Sequence, residues 1–106
     1  MAHYLVEAVA KDDRLSELAE RLGRDEFLQL RPFGASVTFS LRSARKRGDG
    51  GVVWEEEDYC SPPLAQERAA VLDEYFEGLR VTSVQKDEGW AQIRDLPPLF
   101  PELIDE

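Results

Sequence analysis

The 106-residue chain predicts an α+β fold on three observations. Two segments carry apolar residues at helical spacing. Several others are short, β-prone and apolar on one or both faces. The helical segments flank a pair of adjacent strands instead of alternating one-for-one with strands, which favours an antiparallel sheet.

Each element has its own signal. Residues 3–10, HYLVEAVA, are β-prone and mostly apolar and predict the first strand. Asp12 or Asp13 caps the helix that follows, in which Leu15, Leu18, Ala19 and Leu22 fall at i, i+3, i+4 and i+7, and Gly23 stops it. The stretch RDEFLQLRPFG fits either another helical turn capped by Asp25 or a short strand through Leu28 and Leu30; Pro32 ends both. In ASVTFSL, residues 35–41, Val37, Phe39 and Leu41 alternate with Ser36, Thr38 and Ser40, which predicts a strand with one wet face.

The next apolar stretch is Val52–Val53–Trp54, followed by four consecutive acids, Glu55, Glu56, Glu57 and Asp58. Pairing Leu41 with Val52 and Phe39 with Trp54 keeps one apolar face and leaves residues 42–51 as a long, Gly-rich, basic loop. The acids are then expected at a solvated strand exit. Consecutive strand residues point to opposite faces, so all four cannot converge on one ion. SPPLAQERAAVLDEYFEG predicts a helix with Ser61 as cap, Pro62 in the first position, a stripe of Leu64, Val71, Leu72, Tyr75 and Phe76, and Gly78 as its end. LRVTSVQK and WAQIR predict two more strands joined at Asp87–Gly89.

Strand, helix, strand, strand, helix, strand is the order of the split-βαβ, ferredoxin-like sandwich, an antiparallel sheet with two helices on one face. WAQIR adds an extra C-terminal strand. The domain spans 1–95, and residues 96–106 form an apolar, Pro-rich tail packed on the domain or on a partner. Strands apolar on both faces imply that the second sheet face is partly covered by that tail or by a partner.

Composition excludes more chemistry than it assigns. Thirteen bases against 22 acids give a net charge of −9, which opposes nucleic-acid binding. No apolar run reaches the ~20 residues of a membrane span, and no signal peptide is evident, so a cytoplasmic protein is expected. Cys60 is alone and His3 is the only histidine, so a disulfide, a Cys-rich zinc site and a Ser-His-Asp arrangement are not expected. No phosphate loop or dinucleotide fingerprint is present. Neither metal nor cofactor is predicted.

Two features remain. Arg42, Arg45, Lys46 and Arg47 form the one basic cluster in an acidic chain, and Leu99, Phe100 and Leu103 lead an apolar tail. The expected activity is that of a small binding or assembly module acting through its sheet face or tail on a protein partner or a second copy. The alternative is a cofactor-independent enzyme with a pocket between sheet and helices or between subunits.

Overall fold

The structure is a computed structural model that describes residues 2–11, 13–58 and 60–103. It is α+β, with a four-stranded antiparallel sheet in the order β2-β3-β1-β4. The strands are β1 (Ala2–Ala10), β2 (Arg45–Lys46), β3 (Gly51–Asp58) and β4 (Phe76–Val84). The helices are α1 (Leu15–Gly23), α2 (Gly34–Arg42), α3 (Ala65–Glu67), α4 (Asp73–Tyr75) and α5 (Glu88–Ile93). A π-helical segment, Arg68–Leu72, makes α3 and α4 one continuous helical stretch. The expected cap Asp12 and the tail residue Ile104 lie outside the described residues.

Residues directly opposite each other across an antiparallel pair share a face. Val6 faces Trp54 and Ala8 faces Val52, so one face of β1 and β3 is a strip of apolar side chains. Leu18 and Leu22 of α1 and Val71, Leu72 and Tyr75 of the 65–75 stretch bury themselves in the same cluster. Trp54 is fully buried, with its ring 5.1 Å from that of Phe76. The Tyr75 hydroxyl ties the two helices together, donating to Glu17 at 2.7 Å and accepting from Arg21 at 2.7 Å.

The alternating segment 35–41 is a helix, not a strand. A spacing of four satisfies both a period of 2 and a period of 3.6, and Val37 and Leu41, which set the pattern, are four apart. Both are fully buried, whereas Phe39, half a helical turn away, is 58% exposed. Ser40 then faces inward, and its hydroxyl donates to the Glu55 carbonyl at 2.8 Å. β2 pairs with only Val52 and Val53 of β3 (Arg45 also bridges Pro98), and beyond them α2 meets β3 through Ser40. Gly34 lets the start of α2 pack on the turn before it: a Cβ there would lie 2.4 Å from the Phe27 carbonyl oxygen.

Helix α2 displaces the expected hairpin partner, so β3 pairs with β1 and with the short β2. The long 42–51 loop is replaced by the end of α2, strand β2 and a tight turn closed by Arg47 N–H to the Gly51 carbonyl at 2.8 Å. The second helix starts later than expected. Ser61 and Pro62 precede a left-handed Leu64 (φ 64°), and α3 begins at Ala65. It also stops earlier, at Tyr75; Gly78, with φ +64°, lies inside β4 beside a register shift opposite Glu7–Val9.

Trp90 to Ile93 of WAQIR belong to α5, with Arg94 just beyond its end, and form no strand. Trp90 and Ile93 are three apart, which suits a helical face, and the segment is too short for that period to show. Gly89 of α5 sits against Leu5 and Glu55, so α5 is the element that covers this end of the second sheet face. The tail lies elsewhere. Leu99 N–H donates to the Ala44 carbonyl at 2.8 Å and Lys46 N–H to the Pro97 carbonyl at 2.8 Å, beside β2. Leu99 and Phe100 are buried in the main core cluster, and Leu103 packs at its margin near Gly23.

Candidate functional site

The acidic run at the end of β3 folds inward instead of emerging. Glu55, Glu56 and Asp58 are 3%, 1% and 4% exposed. Alternation sends them to opposite faces, Glu55 with Leu5 on one and Glu56 with Tyr4 on the other. Each carboxylate meets a different solution to the cost of burial. Glu55 accepts from the N–H groups of Asp87 (2.8 Å), Gly89 (2.7 Å) and Trp90 (3.2 Å), so it caps the start of α5 from 30-odd residues away. Asp58 Oδ2 accepts from the N–H groups of Leu64 (2.6 Å) and Cys60 (3.1 Å), fixing the turn into the second helix.

Because three helix-start donors depend on one carboxylate, Glu55→Ala should destabilise the fold by about 2–3 kcal/mol in urea unfolding. Loss of less than about half a kilocalorie would mean that water replaces the cap.

Glu56 is less well provided. Its Oε1 accepts from the Trp54 indole N–H at 2.9 Å, and its Oε2 has no partner. Glu67, from the end of α3, is fully buried beside it; Oε1 receives the Cys60 thiol at 3.8 Å, and Oε2 has no partner. One ligand atom from each of Asp58, Cys60 and Glu67 can be chosen so that all lie within 4.8 Å of one another. These three residues line a cavity of about 240 Å³ with Pro32, Phe33 and Ser36.

Burial pushes the Glu67 carboxyl up to about 7, helped by its contact with Asp58. Burial also drives Glu56 well above the carboxylate range, against the pull of the Trp54 N–H and with the Glu67 charge adding to the rise. For Asp58 burial opposes ionisation, but the Leu64 N–H, the Glu67 contact and the Cys60 N–H outweigh it and hold the group low. The Gln66 N–H favours a Cys60 thiolate, yet burial and the Asp58 and Glu67 charges keep the thiol raised. The cluster thus keeps protons that isolated carboxyls would release.

A second hollow of about 300 Å³ meets the first at Ser36 and Glu57. Its walls include His3, Phe39, Glu55, Asp87 and Trp90. Phe39 and Trp90 stand edge to face, 6.1 Å between centroids and 83° between planes. His3 sits between two carboxylates, Nδ1 3.7 Å from Glu55 and Nε2 3.7 Å from Glu57.

The basic residues singled out from the sequence do not converge. Arg42 donates to the Leu22 carbonyl at 3.0 Å and to Asp25 at 3.1 Å. Arg45 donates to the Leu96 carbonyl at 2.9 Å, Lys46 is exposed on β2, and Arg47 pairs with Glu7. Leu99 and Phe100 are buried, so their surfaces serve the core, with Leu103 half-buried at its edge. The sequence reading missed Glu67. Its signal was an acid three residues after Leu64 and four before Val71, on the stripe the helix buries.

Compared with known proteins, the chain matches no family model, and no curated protein or solved structure resembles it significantly.

Proposed function

We propose that this chain is a small binding module that takes a cationic segment of a protein partner into the groove formed by Phe39, Trp90, Glu57 and Asp87. One observation carries the reading: an edge-to-face aromatic pair stands in a hollow whose walls include three carboxylates. A lysine or arginine side chain gains from aromatic faces and from carboxylates together. The net charge of −9 steers such a partner inward. Lys86 also lines the hollow, and its charge opposes such a partner. A ferredoxin-like scaffold is part of the same proposal. Its support is the strand order β4-β1-β3-β2, all antiparallel, with α1 and the 65–75 stretch in one core beneath β1 and β3.

Titration of the 15N-labelled protein with a hexalysine peptide tests it. Shifts should cluster at Phe39, Glu57, Asp87 and Trp90, and Phe39→Ser should weaken binding roughly fivefold or more. Phe39 is exposed, so that variant should unfold at the parent temperature. Equal affinity in Phe39→Ser, or shifts scattered over the acidic surface, would replace the groove with general charge attraction.

A further inference from the structure

We infer that Asp58, Cys60 and Glu67 form a three-ligand site for a borderline divalent cation of the zinc class, with its remaining coordination position open to the 240 Å³ cavity. This goes beyond the cationic groove, since it uses other side chains in the adjoining hollow.

Four observations support it. The first is placement. Donor atoms from a strand end, the loop after it and a helix lie within 4.8 Å of one another. Donors on a tetrahedral ion with bonds of about 2.0–2.3 Å lie roughly 3.3–3.8 Å apart, so a side-chain adjustment of about an ångström closes the set.

The second is an unmet requirement. Glu67 is fully buried and lines the cavity, and neither its Oε2 nor Oε2 of Glu56 receives a hydrogen bond from an N–H or hydroxyl group; the contacts of Glu67 with Asp58 and Glu56 join acid to acid. Among the described residues, the ion pairs join neither these groups nor Asp58 to a base. Buried carboxylates need a cation or a proton, and a cation satisfies several at once.

The third is orientation. The Leu64 and Cys60 N–H groups both bind Oδ2 of Asp58 and so fix the plane of the carboxylate beside Cys60 and Glu67. Leu64 holds a left-handed conformation, unusual for a branched residue, to deliver that N–H.

The fourth is donor chemistry. Calcium and magnesium take about six oxygens, more than this site supplies. One thiolate with two carboxylates suits zinc-like ions. Three protein ligands and one open position is the arrangement of reactive, not purely structural, zinc sites. Binding would expel to solvent the Cys60 thiol proton and any proton held by the Glu67 carboxyl.

Cobalt(II) is the probe, added to the full chain after chelator treatment. The expected result is a thiolate-to-cobalt charge-transfer band with intense four-coordinate d–d bands, bleached by equimolar zinc, and a rise in the thermal midpoint with zinc. Cys60→Ser should abolish the charge-transfer band, and Glu67→Gln should weaken zinc binding about tenfold or more. Glu20→Gln, on the exposed side of α1, should change neither. No charge-transfer band and no midpoint rise in the parent protein would overturn the site, as would unchanged zinc affinity in both ligand variants. Hexalysine binding is read separately, so failure of one proposal leaves the other standing.

Discussion

With chelator present, Glu67→Gln should unfold at a higher temperature than the parent at pH 8, and the gap should close as the pH falls towards 5. The Glu67 carboxyl is raised from 4.5 to about 7 in the folded protein, with burial as the main cause and Asp58 second. A group whose folded pKa is raised favours the fold while protonated. Its contribution is complete below the unfolded value near 4.5 and is lost as pH rises through about 7. A rise of that size is worth on the order of a few kcal/mol, or roughly 10 °C for a domain of this size. Glu56 is raised in the same direction and adds to the parent's loss above neutrality. Asp58 is shifted the other way, and its contribution fades only in strong acid, below the window measured. Glutamine keeps the shape and an acceptor for the Cys60 thiol but cannot ionise. A parent midpoint that stays flat from pH 5 to 8, with the variant running parallel, would mean that water or relaxation already neutralises the cluster.

Truncation after Asp95 should abolish cooperative folding or cost more than about 5 kcal/mol. Removing buried Leu99 alone is worth about 2–5 kcal/mol and Phe100 about 3–5, against a total of about 5–15 for a typical domain. The Ala44 carbonyl and the Lys46 N–H lose their partners, and the Arg45 guanidinium loses the Leu96 carbonyl. Phe100→Ala is the milder test, with an expected loss of about 3–5 kcal/mol in urea at unchanged m-value. A truncated chain that keeps the parent's midpoint would make the segment an appended recognition motif.

Sequence alone showed the α+β class, β1 and α1, because each has a single dominant period: a continuous apolar β-prone run at 3–10 and a four-residue helical stripe at 15–22. It failed where two periods coincide, as at Val37 and Leu41, and where a helix is too short for any period, as in α5. It also failed where the partner is remote in sequence. Glu55 reads as a wet acid until Asp87–Trp90 arrive to be capped, and Asp58 until Leu64 turns back on it. Glu67 was visible as an acid on a buried stripe, but only its neighbours give it chemical meaning.

The position of β1 bears on how the chain is made. It is made before the other three strands of the sheet, yet it lies between β3 and β4, with His3 pairing to Glu57 on one side and Val84 on the other. During synthesis one hydrogen-bonding edge must therefore wait about 40 residues for β3, and the other longer still for β4. Such distant pairings slow folding and leave a nascent strand open to wrong partners. The carboxylate of Glu7, midway along β1, is a charge that discourages those encounters until β3 arrives.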